Sequence, residues 1–343
     1  MVTINDVAKK AGVSITTVSR VLNGTLNVSR TKREKVLQVI RELNYEPLRK
    51  TNRNSPVKSN IILVITGFAN DGFFSCLKKA AAEAGFQILV YYLTEPDTDA
   101  DLRTFISMID TNALAGIIVS GFQKDLPVLR ELSSAHPVVS MQETGMHFSP
   151  LYLSLQDHHR MASILTQHLI DSGHHKIYLI DTTSTPDDFY YLSEKKKVHG
   201  FIDTMEQNGF TSKDYQVLYC DYGFHNGQRL ANTIIESETV PDAILSTMAP
   251  TCMGILSALQ AKNIKIPQDV SLATFTNDEY LEFVTPSITA LIDGTEECCS
   301  TAVQIIREVN KGNYPNGFTF LAPAELIVRQ SSFSNAKKPN DSR

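Results

Sequence analysis

The sequence predicts a small helical head followed by a two-lobed α/β body, and two observations carry this prediction. In residues 3–23, apolar side chains recur at helical spacing in two short stretches separated by a glycine, which is typical of a helix-turn-helix. From residue 60 onward, short apolar runs alternate with amphipathic stretches, as in βαβ units with parallel sheets. The fold class is therefore α plus α/β, with a three-helix head.

The head is predicted to hold three helices. The first ends at Gly12, the second begins at Ser14, whose hydroxyl can cap its first turn, and the third runs from Ser29 to about Asn44. Apolar side chains line one face of each helix: Ile4, Val7, Ala8 and Ala11, then Val18, Val21 and Leu22, then Val36, Val39, Ile40 and Leu43. The second helix turns a polar face outward, which contains Ile15, Thr16, Ser19, Arg20 and Asn23.

The body is predicted to hold at least nine strands and six helices. The strands are Ile61–Ile65, Gln87–Leu93, Gly116–Ser120, Pro137–Met141, Leu151–Leu155, Lys176–Asp181, Gln216–Cys220, Ala243–Thr247 and Val270–Thr276. The helices are Phe73–Ala84, Asp97–Asp110, His158–Asp171, Lys195–Gln207, Asn226–Glu236 and Pro250–Lys262. Two sheets facing a cleft suit typical domain sizes better than one large sheet. The predicted domains are a head (1–46), a linker or hinge (47–59), a body (60–330) and a flexible polar tail (331–343).

Charge is distributed unevenly along the chain. Residues 1–58 contain 12 Lys and Arg against 4 Asp and Glu, a net charge of +8, whereas the remainder contains 20 against 33, a net charge of −13. A basic head on an acidic body suits a module that binds a polyanion, joined to one that does not. A solvated basic surface without a partner is the alternative.

Several classes of protein lack support in the sequence. There is no apolar run long enough to span a membrane and no secretion signal, so we expect a cytoplasmic protein. The five scattered cysteines indicate reduced thiols, and the adjacent pairs His158-His159 and His174-His175 are poor metal sites because their side chains point apart. None of the common nucleophile, phosphate-loop, dinucleotide or zinc-protease motifs occurs. We expect no enzyme, metal or cofactor.

Specific motifs in the head resemble the DNA-binding head of the LacI/GalR family of bacterial transcription regulators. They are Asp6-Val7-Ala8, Ala11-Gly12-Val13-Ser14, Thr17-Val18-Ser19-Arg20-Val21-Leu22-Asn23 and Tyr45. The body resembles the effector domain of that family, a periplasmic-binding-protein-like α/β fold, through looser motifs. These are Phe73-Phe74, Ala115-Gly116-Ile117-Ile118, Asp157, His168-Leu169, Ser172-Gly173-His174, Gly200-Phe201, Pro267-Gln268-Asp269-Val270-Ser271 and Thr285-Pro286.

The resemblance implies roles for the head residues. Ile15, Thr16 and Arg20 would face base edges in the major groove, and the Arg20 guanidinium can bond guanine O6 and N7 together. Seven polar residues would contact the DNA backbone: Thr3, Ser14, Thr17, Ser19, Asn23, Ser29 and Tyr45. Each hydroxyl could instead act only as a local cap or face water.

The hinge departs from the family pattern. Members of the family usually form a hinge helix on DNA, with a leucine wedged into the minor groove; the corresponding positions here are Leu48, Thr51 and Asn54. A polar Asn54 cannot wedge between base steps as an apolar side chain does. Either Arg49, Lys50 and Arg53 hold the DNA backbone instead, or operator bending is weaker.

The cleft departs from the family as well. Met248-Ala249 and Thr276-Asn277 replace the usual Asn-Asp and Asp-Asp pairs, and Lys197 replaces an arginine that binds sugar hydroxyls in the family. The residues expected to contact an effector are Phe73, Phe74, Lys197, Met248, Phe275, Thr276 and Asn277. The cleft would be less polar than usual, would favour an anionic ligand through Lys197, or would hold no ligand.

The resemblance implies a homodimeric, possibly tetrameric, repressor of carbohydrate-metabolism genes. Its partners would be a double-stranded DNA operator and a small sugar-like effector between the lobes, without a membrane. A regulator with a degenerate, ligand-free cleft is one alternative. A solute-binding protein is the other, although the basic head stands where such a protein would carry a secretion signal.

Overall fold

The structure is a computed structural model and divides the chain into two compact units, Met1–Lys58 and Ser59–Arg343. It describes residues 4–14, 17–18, 21, 30–43, 59–67, 71–93, 99–121, 126–142, 148–182, 191–237, 239–314 and 317–332. The predicted linker, 47–59, lies outside the described residues except for Ser59. The Ser59 hydroxyl donates to the carbonyl oxygen of Asn112 (2.9 Å), so this residue belongs to the second unit rather than to the linker.

The first unit contains the predicted helical head. Helix α1 spans Ile4–Ala11 and α2 spans Arg30–Glu42, and the described part of the stretch between them is helical at Thr17, Val18 and Val21. Gly12 has a φ of 66°, a left-handed conformation that ends α1 as predicted. Small apolar side chains from all three stretches form one core: Val7, Ala8, Ala11, Val18, Val21, Val36 and Val39.

The first lobe of the second unit is a six-stranded parallel sheet with helices on both faces. Its strands are β1 (Ile61–Thr66), β2 (Gln87–Tyr92), β3 (Leu114–Ser120), β4 (Val138–Ser140), β5 (Tyr152–Gln156) and β11 (Phe318–Ala322), in the spatial order β11-β5-β4-β3-β1-β2. Its helices are α3 (Asp71–Glu83), α4 (Asp99–Ser107), α5 (Pro127–Leu132) and α11 (Thr295–Asn310). Separate apolar clusters cover the two faces, which explains why every residue of β3 is buried.

The second lobe repeats this plan. Its strands are β6 (Ile177–Asp181), β7 (Tyr215–Tyr219), β8 (Ala243–Ser246), β9 (Ser271–Thr274), β10 (Thr289–Ile292) and β12 (Glu325–Ile327), in the order β12-β10-β9-β8-β6-β7. Its helices are α6 (His158–Asp171), α7 (Tyr191–Gln207), α8 (Phe224–Glu236), α9 (Ala249–Ala261) and α10 (Tyr280–Phe283). Only β12 among these strands runs antiparallel to its neighbour, β10.

All nine predicted strands and all six predicted body helices form, and two sheets rather than one contain them. The strands β10, β11 and β12 and the helices α5, α10 and α11 were not predicted. β10 and β12 are too short for a periodic pattern; they pair with each other, and β10 also pairs with β9. The 16-residue α11 did carry a signal, since buried side chains recur along one face from Cys298 to Ile306.

Three chain crossings join the two lobes: Asp157 between β5 and α6, Asp293-Gly294 between β10 and α11, and Pro323-Ala324 between β11 and β12. Contacts tie the crossings together. Gln156 Nε2 donates to Thr295 Oγ1 (3.1 Å), and a Cβ on Gly294 would lie 2.5 Å from the Cβ of Ala322. The carboxyl ends of β5, β10 and β11 therefore meet, which places the carboxyl edges of the two sheets on either side of the predicted cleft.

The flexible tail was predicted to begin too early. Ser331 and Ser332 are fully buried, and the backbone N–H of Thr289 donates to Ser331 Oγ (2.9 Å). Ser332 Oγ lies 2.6 Å from Thr289 Oγ1 and 2.9 Å from His168 Nε2. These hydrogen bonds satisfy the two serines inside the second lobe. Residues 333–343 lie outside the described part of the chain.

Candidate DNA interface and effector cleft

Ser14 caps the second helical stretch of the head, as predicted. Its Oγ accepts a hydrogen bond from the backbone N–H of Thr17 (3.2 Å), and the two side-chain oxygens lie 2.9 Å apart. An N-cap side chain bonds the third helical N–H in this way because that group has no partner within the helix. Ser14 is exposed, so its phosphate contact stays a prediction.

Replacing Ser14 with alanine should destabilise the head by about 1 kcal/mol, because the first turn loses its capping acceptor. Amide hydrogen exchange of the full chain would show this as faster exchange in the head alone. Ser14→Asn retains a capping oxygen and should exchange as the wild type does. Equal exchange in the alanine variant and the wild type would contradict the capping role.

Most of the predicted DNA contacts cannot be placed. Ser14 and Thr17 are described, but the other predicted contacts lie outside the described residues: Thr3, Ile15, Thr16, Ser19, Arg20, Asn23, Ser29 and Tyr45. The six hinge positions also lie outside them: Leu48, Arg49, Lys50, Thr51, Arg53 and Asn54. The described surface of the head does carry exposed cations at Lys9, Lys32 and Lys35, whereas Lys10 is paired with Glu42 (3.1 Å).

On the first-lobe side of the cleft, Phe73 and Phe74 lie in the first turn of α3, the helix that follows β1 in the chain. Phe73 is almost fully buried in the lobe core and contacts Phe74 edge-on, with 5.2 Å between ring centroids. Phe74 is half-buried and also contacts the exposed Tyr92 (5.8 Å). Phe74 is therefore the more accessible of the two rings, and Phe73 serves the core.

On the second-lobe side, three predicted effector residues already have partners within the protein. Thr276 Oγ1 accepts from the backbone N–H of Ala249 (3.1 Å) and donates to Asp278 Oδ2 (3.1 Å). Arg329 Nη2 donates to Asn277 Oδ1 (2.8 Å). The half-buried Met248 occupies the N-cap position of α9 without a side-chain capping bond, and its carbonyl oxygen accepts from Ser246 Oγ (3.0 Å).

Lys197 and Phe275 do meet, but in a different arrangement from the one predicted. Phe275 is fully buried, so its ring belongs to the core of the second lobe rather than to a surface that an effector could touch. Lys197 Nζ lies 5.5 Å above the centroid of this ring, within cation–π distance. Lys197 is itself buried and pairs with Glu194 Oε1 at 2.6 Å.

Sequence reasoning missed Glu194 and His158 as part of this cluster. Glu194 lies one helical turn before Lys197, a spacing that does bring side chains together. Their burial depends on α7 lying against α6, and Gly200 permits this, because a Cβ there would lie 2.4 Å from the His159 carbonyl oxygen. That approach also shields Nδ1 of the half-buried His158 from solvent, and the imidazole lies close enough to Lys197 to feel its charge.

Burial lowers the pKa of His158 well below its usual value, and the positive charges of Lys197 and Lys196 lower it further. The imidazole is therefore neutral at pH 7. Because the unfolded chain takes up a proton near pH 6.5 and the folded chain does not, His158 reduces stability as the pH falls below about 6.5.

The free energy of unfolding should thus decrease between pH 7 and pH 5, by up to about 1.4 kcal/mol per pH unit from this one group. In His158→Gln this part of the slope should vanish. Chemical unfolding at several pH values measures it, with the exposed His199→Gln as the matched control. Identical pH profiles for His158→Gln and the wild type would refute this assignment.

Other kinds of site find no support among the described residues. No group of three His, Cys, Asp or Glu there could hold a metal ion, and none of the described helices is long and apolar enough to cross a membrane. Burial raises the pKa of the Cys220 thiol to about 11 and that of Cys298 to about 12. Neither thiol is activated as a nucleophile.

Comparison with known proteins matches both units of the chain. Residues 3–47 match the family model for bacterial regulatory proteins of the lacI family, and residues 166–332 match the model for a periplasmic binding protein-like domain. The HTH-type transcriptional regulator DegA of Bacillus subtilis is 27% identical over 339 residues, covering 96% of this chain and 98% of DegA. The HTH-type transcriptional repressor PurR of Photobacterium profundum is 27% identical, with coverage of 96% and 98%.

Solved structures share the fold. A transcriptional regulator CelR–cellobiose complex superimposes with a TM-score of 0.67 at 21% identity, covering 96% of this chain and 100% of that one. The lac repressor dimer bound to operator and the anti-inducer ONPF gives the same TM-score and identity, with coverage of 97% and 99%.

A helix-turn-helix head on a two-lobed α/β body defines a DNA-binding transcription regulator with a ligand-binding type of effector domain. The relatives are similar to the chain over nearly its whole length. The chain is similar to bacterial regulatory proteins of the lacI family in its head and to periplasmic binding protein-like domains in its body.

Proposed function

We propose that the protein is a homodimeric repressor that acts on DNA in the bacterial cytoplasm and that a small molecule in the cleft between the lobes controls it. The observation that carries the proposal is the helical stretch of the head that Ser14 caps, in a unit whose described surface also carries exposed lysines. Two such heads in a symmetric dimer would read the two halves of a near-palindromic operator.

The names of the relatives support this proposal. PurR is named as a repressor, and a 25% identical relative from Priestia megaterium is catabolite control protein A. The CelR structure contains cellobiose. These names favour genes of carbohydrate metabolism and a sugar-like effector. The effector would control DNA binding by its different affinities for the open and closed lobes.

Operator binding tests the function. Genomic DNA bound by the purified chain is sequenced, and affinity for the resulting operator is compared with affinity for a scrambled duplex. Arg20→Ala should lose about 1–3 kcal/mol of discrimination at one base pair, because a bidentate guanine contact disappears. The exposed Lys32→Ala is the matched control and should weaken binding to both duplexes equally.

The salt dependence of the DNA affinity tests the same proposal in a second way. Log affinity should decline linearly with log salt concentration, since lysine and arginine displace cations from the phosphates. Sedimentation should find two protomers on each operator. Equal losses on operator and scrambled DNA in Arg20→Ala, or a flat salt response, would contradict the proposed role of the head.

A second candidate is a regulator whose cleft binds no effector. One observation favours it: Phe275, Thr276 and Asn277 are all engaged in contacts within the protein. Operator binding measured with a panel of sugars, nucleosides and their phosphates separates the two candidates. The ligand-free regulator would bind its operator equally well with every compound.

A further inference from the structure

Three ionisable side chains lie together at the cleft side of the second lobe: His158 at the start of α6, and Glu194 and Lys197 in the first turns of α7. Lys197 lies over the ring of Phe275, which directly follows the end of β9 at Thr274. The cluster is therefore at the carboxyl ends of parallel strands, where α/β folds bind their ligands. His158 also directly follows the first crossing between the lobes.

Within this cluster the positive charge of Lys197 is already neutralised. Its ammonium lies 2.6 Å from Glu194 Oε1, and the two side chains are only 6% and 4% exposed. Buried charges at this distance behave as one neutral unit, because separating them would leave both without solvent. Lys197 thus offers no free charge to a ligand while Glu194 is present.

The cluster also contains polar atoms that lack partners. Glu194 Oε2 and His158 Nδ1 are both inaccessible to solvent, and neither makes a hydrogen bond in the part of the chain that the structure describes. Leaving such groups unpaired is costly, and native proteins rarely do so unless a ligand or a water serves them. A carboxylate oxygen can only accept, whereas a neutral imidazole nitrogen can accept or donate.

We propose that Glu194 determines the charge class of the effector: it cancels Lys197, excludes anionic ligands and accepts a hydrogen bond from an uncharged ligand that carries hydroxyl or N–H donors. This inference rests on the proposed function, because it concerns the effector cleft of the same regulator. Glu194 Oε2 can accept a hydrogen bond from a ligand hydroxyl or N–H, and a neutral His158 Nδ1 can accept or donate one.

Glu194 excludes anions for two physical reasons. The ion pair with Glu194 Oε1 cancels the positive charge with which Lys197 could attract a phosphate, and the other carboxylate oxygen repels a second negative charge. Removing the carboxylate charge should reverse both effects. Replacing both Glu194 and Lys197 with methionine removes both charges and should leave the pair position neutral, as it is in the wild type.

The experiment measures the thermal midpoint of the full-length chain with inorganic phosphate at tens of millimolar, against chloride at equal ionic strength. The midpoint of the wild type should not respond. In Glu194→Gln, phosphate should raise it by about 2 °C or more, because Lys197 becomes available to an anion. Glu194→Ala, which leaves more room, is the second variant.

Two controls isolate the effect. Glu206→Gln changes an exposed carboxylate on the same helix, and the Glu194→Met/Lys197→Met variant removes the ion pair; neither should gain a phosphate response. The inference is wrong if Glu194→Gln and Glu194→Ala both respond no more than the double variant. It is also wrong if phosphate stabilises the wild type and Lys197→Met abolishes the effect.

Matched uncharged and phosphorylated sugars, such as glucose with glucose 6-phosphate and ribose with ribose 5-phosphate, extend the test to the wild type. Stabilisation by an uncharged member that is lost in Glu194→Ala supports the inference, because alanine lacks the accepting oxygen, and tighter binding of a phosphorylated member to the wild type overturns it. Operator binding is measured separately on the same samples. Loss of sequence-specific DNA binding would refute the proposed function without changing the phosphate result.

Discussion

Replacing Lys197 with methionine is expected to lower the free energy of unfolding of the second unit by about 3–5 kcal/mol. Methionine fills nearly the same space, so the loss comes from Glu194, whose carboxylate stays buried without its partner. Removing one member of a buried pair costs much more than removing both, because an uncompensated charge remains out of solvent. Chemical unfolding followed by far-ultraviolet circular dichroism measures the change.

The control is the Glu194→Met/Lys197→Met double variant, which should recover most of the lost stability. Lys262→Met provides a second control, since its pair with Glu236 is solvent-exposed and should contribute little. If the single and double variants were equally unstable, the loss would come from packing around Phe275 and not from the buried charge.

Replacing Gly254 with alanine is expected to destabilise the same unit by about 2 kcal/mol or more. Gly254 lies on α9 where this helix crosses α8, and a Cβ there would be 1.9 Å from the carbonyl oxygen of Phe224 and 2.8 Å from the backbone nitrogen of Gln228. Both atoms belong to a helix backbone, so the helices must separate. The preference of alanine over glycine in a helix, about 1 kcal/mol, offsets only part of this loss.

Ser257→Ala is the matched control on α9, since it changes an exposed side chain and should alter the free energy of unfolding by less than about 0.5 kcal/mol. Thermal unfolding of both variants separates the steric effect from helix propensity. A Gly254→Ala protein as stable as the wild type would mean that α8 and α9 can move apart freely.

The sequence predicted elements well where local signals agreed. Helix α6 spans His158–Asp171 as predicted, because Asp157 caps its first turn through the N–H of Arg160 (3.0 Å) and the apolar face repeats regularly until Gly173. The three-helix head and the alternating strands and helices of the body carried equally local signals. These patterns were sufficient to predict the fold class and the division into two sheets.

Features that depend on distant partners were not predictable. The polar Ser331 and Ser332 resemble a flexible tail in composition, yet Thr289 and His168 satisfy them inside the second lobe. Likewise, the spacing of Glu194 and Lys197 permits an ion pair, but only the packing of α7 against α6 at Gly200 buries it. The resemblance to the family singled out Lys197 as an effector contact, whereas the neutralisation of its charge by Glu194 depends on the fold.

The three crossings between the lobes have a mechanical consequence. Because Gln156 is bonded to Thr295 and Gly294 leaves no room between itself and Ala322, the crossings form a single narrow strap rather than three separate tethers. We therefore expect the lobes to turn about the line of these crossings rather than to slide past each other. A ligand bound between the lobes would therefore change the angle between them. In a dimer, such a change would alter the spacing of the two heads relative to the spacing of the two operator half-sites.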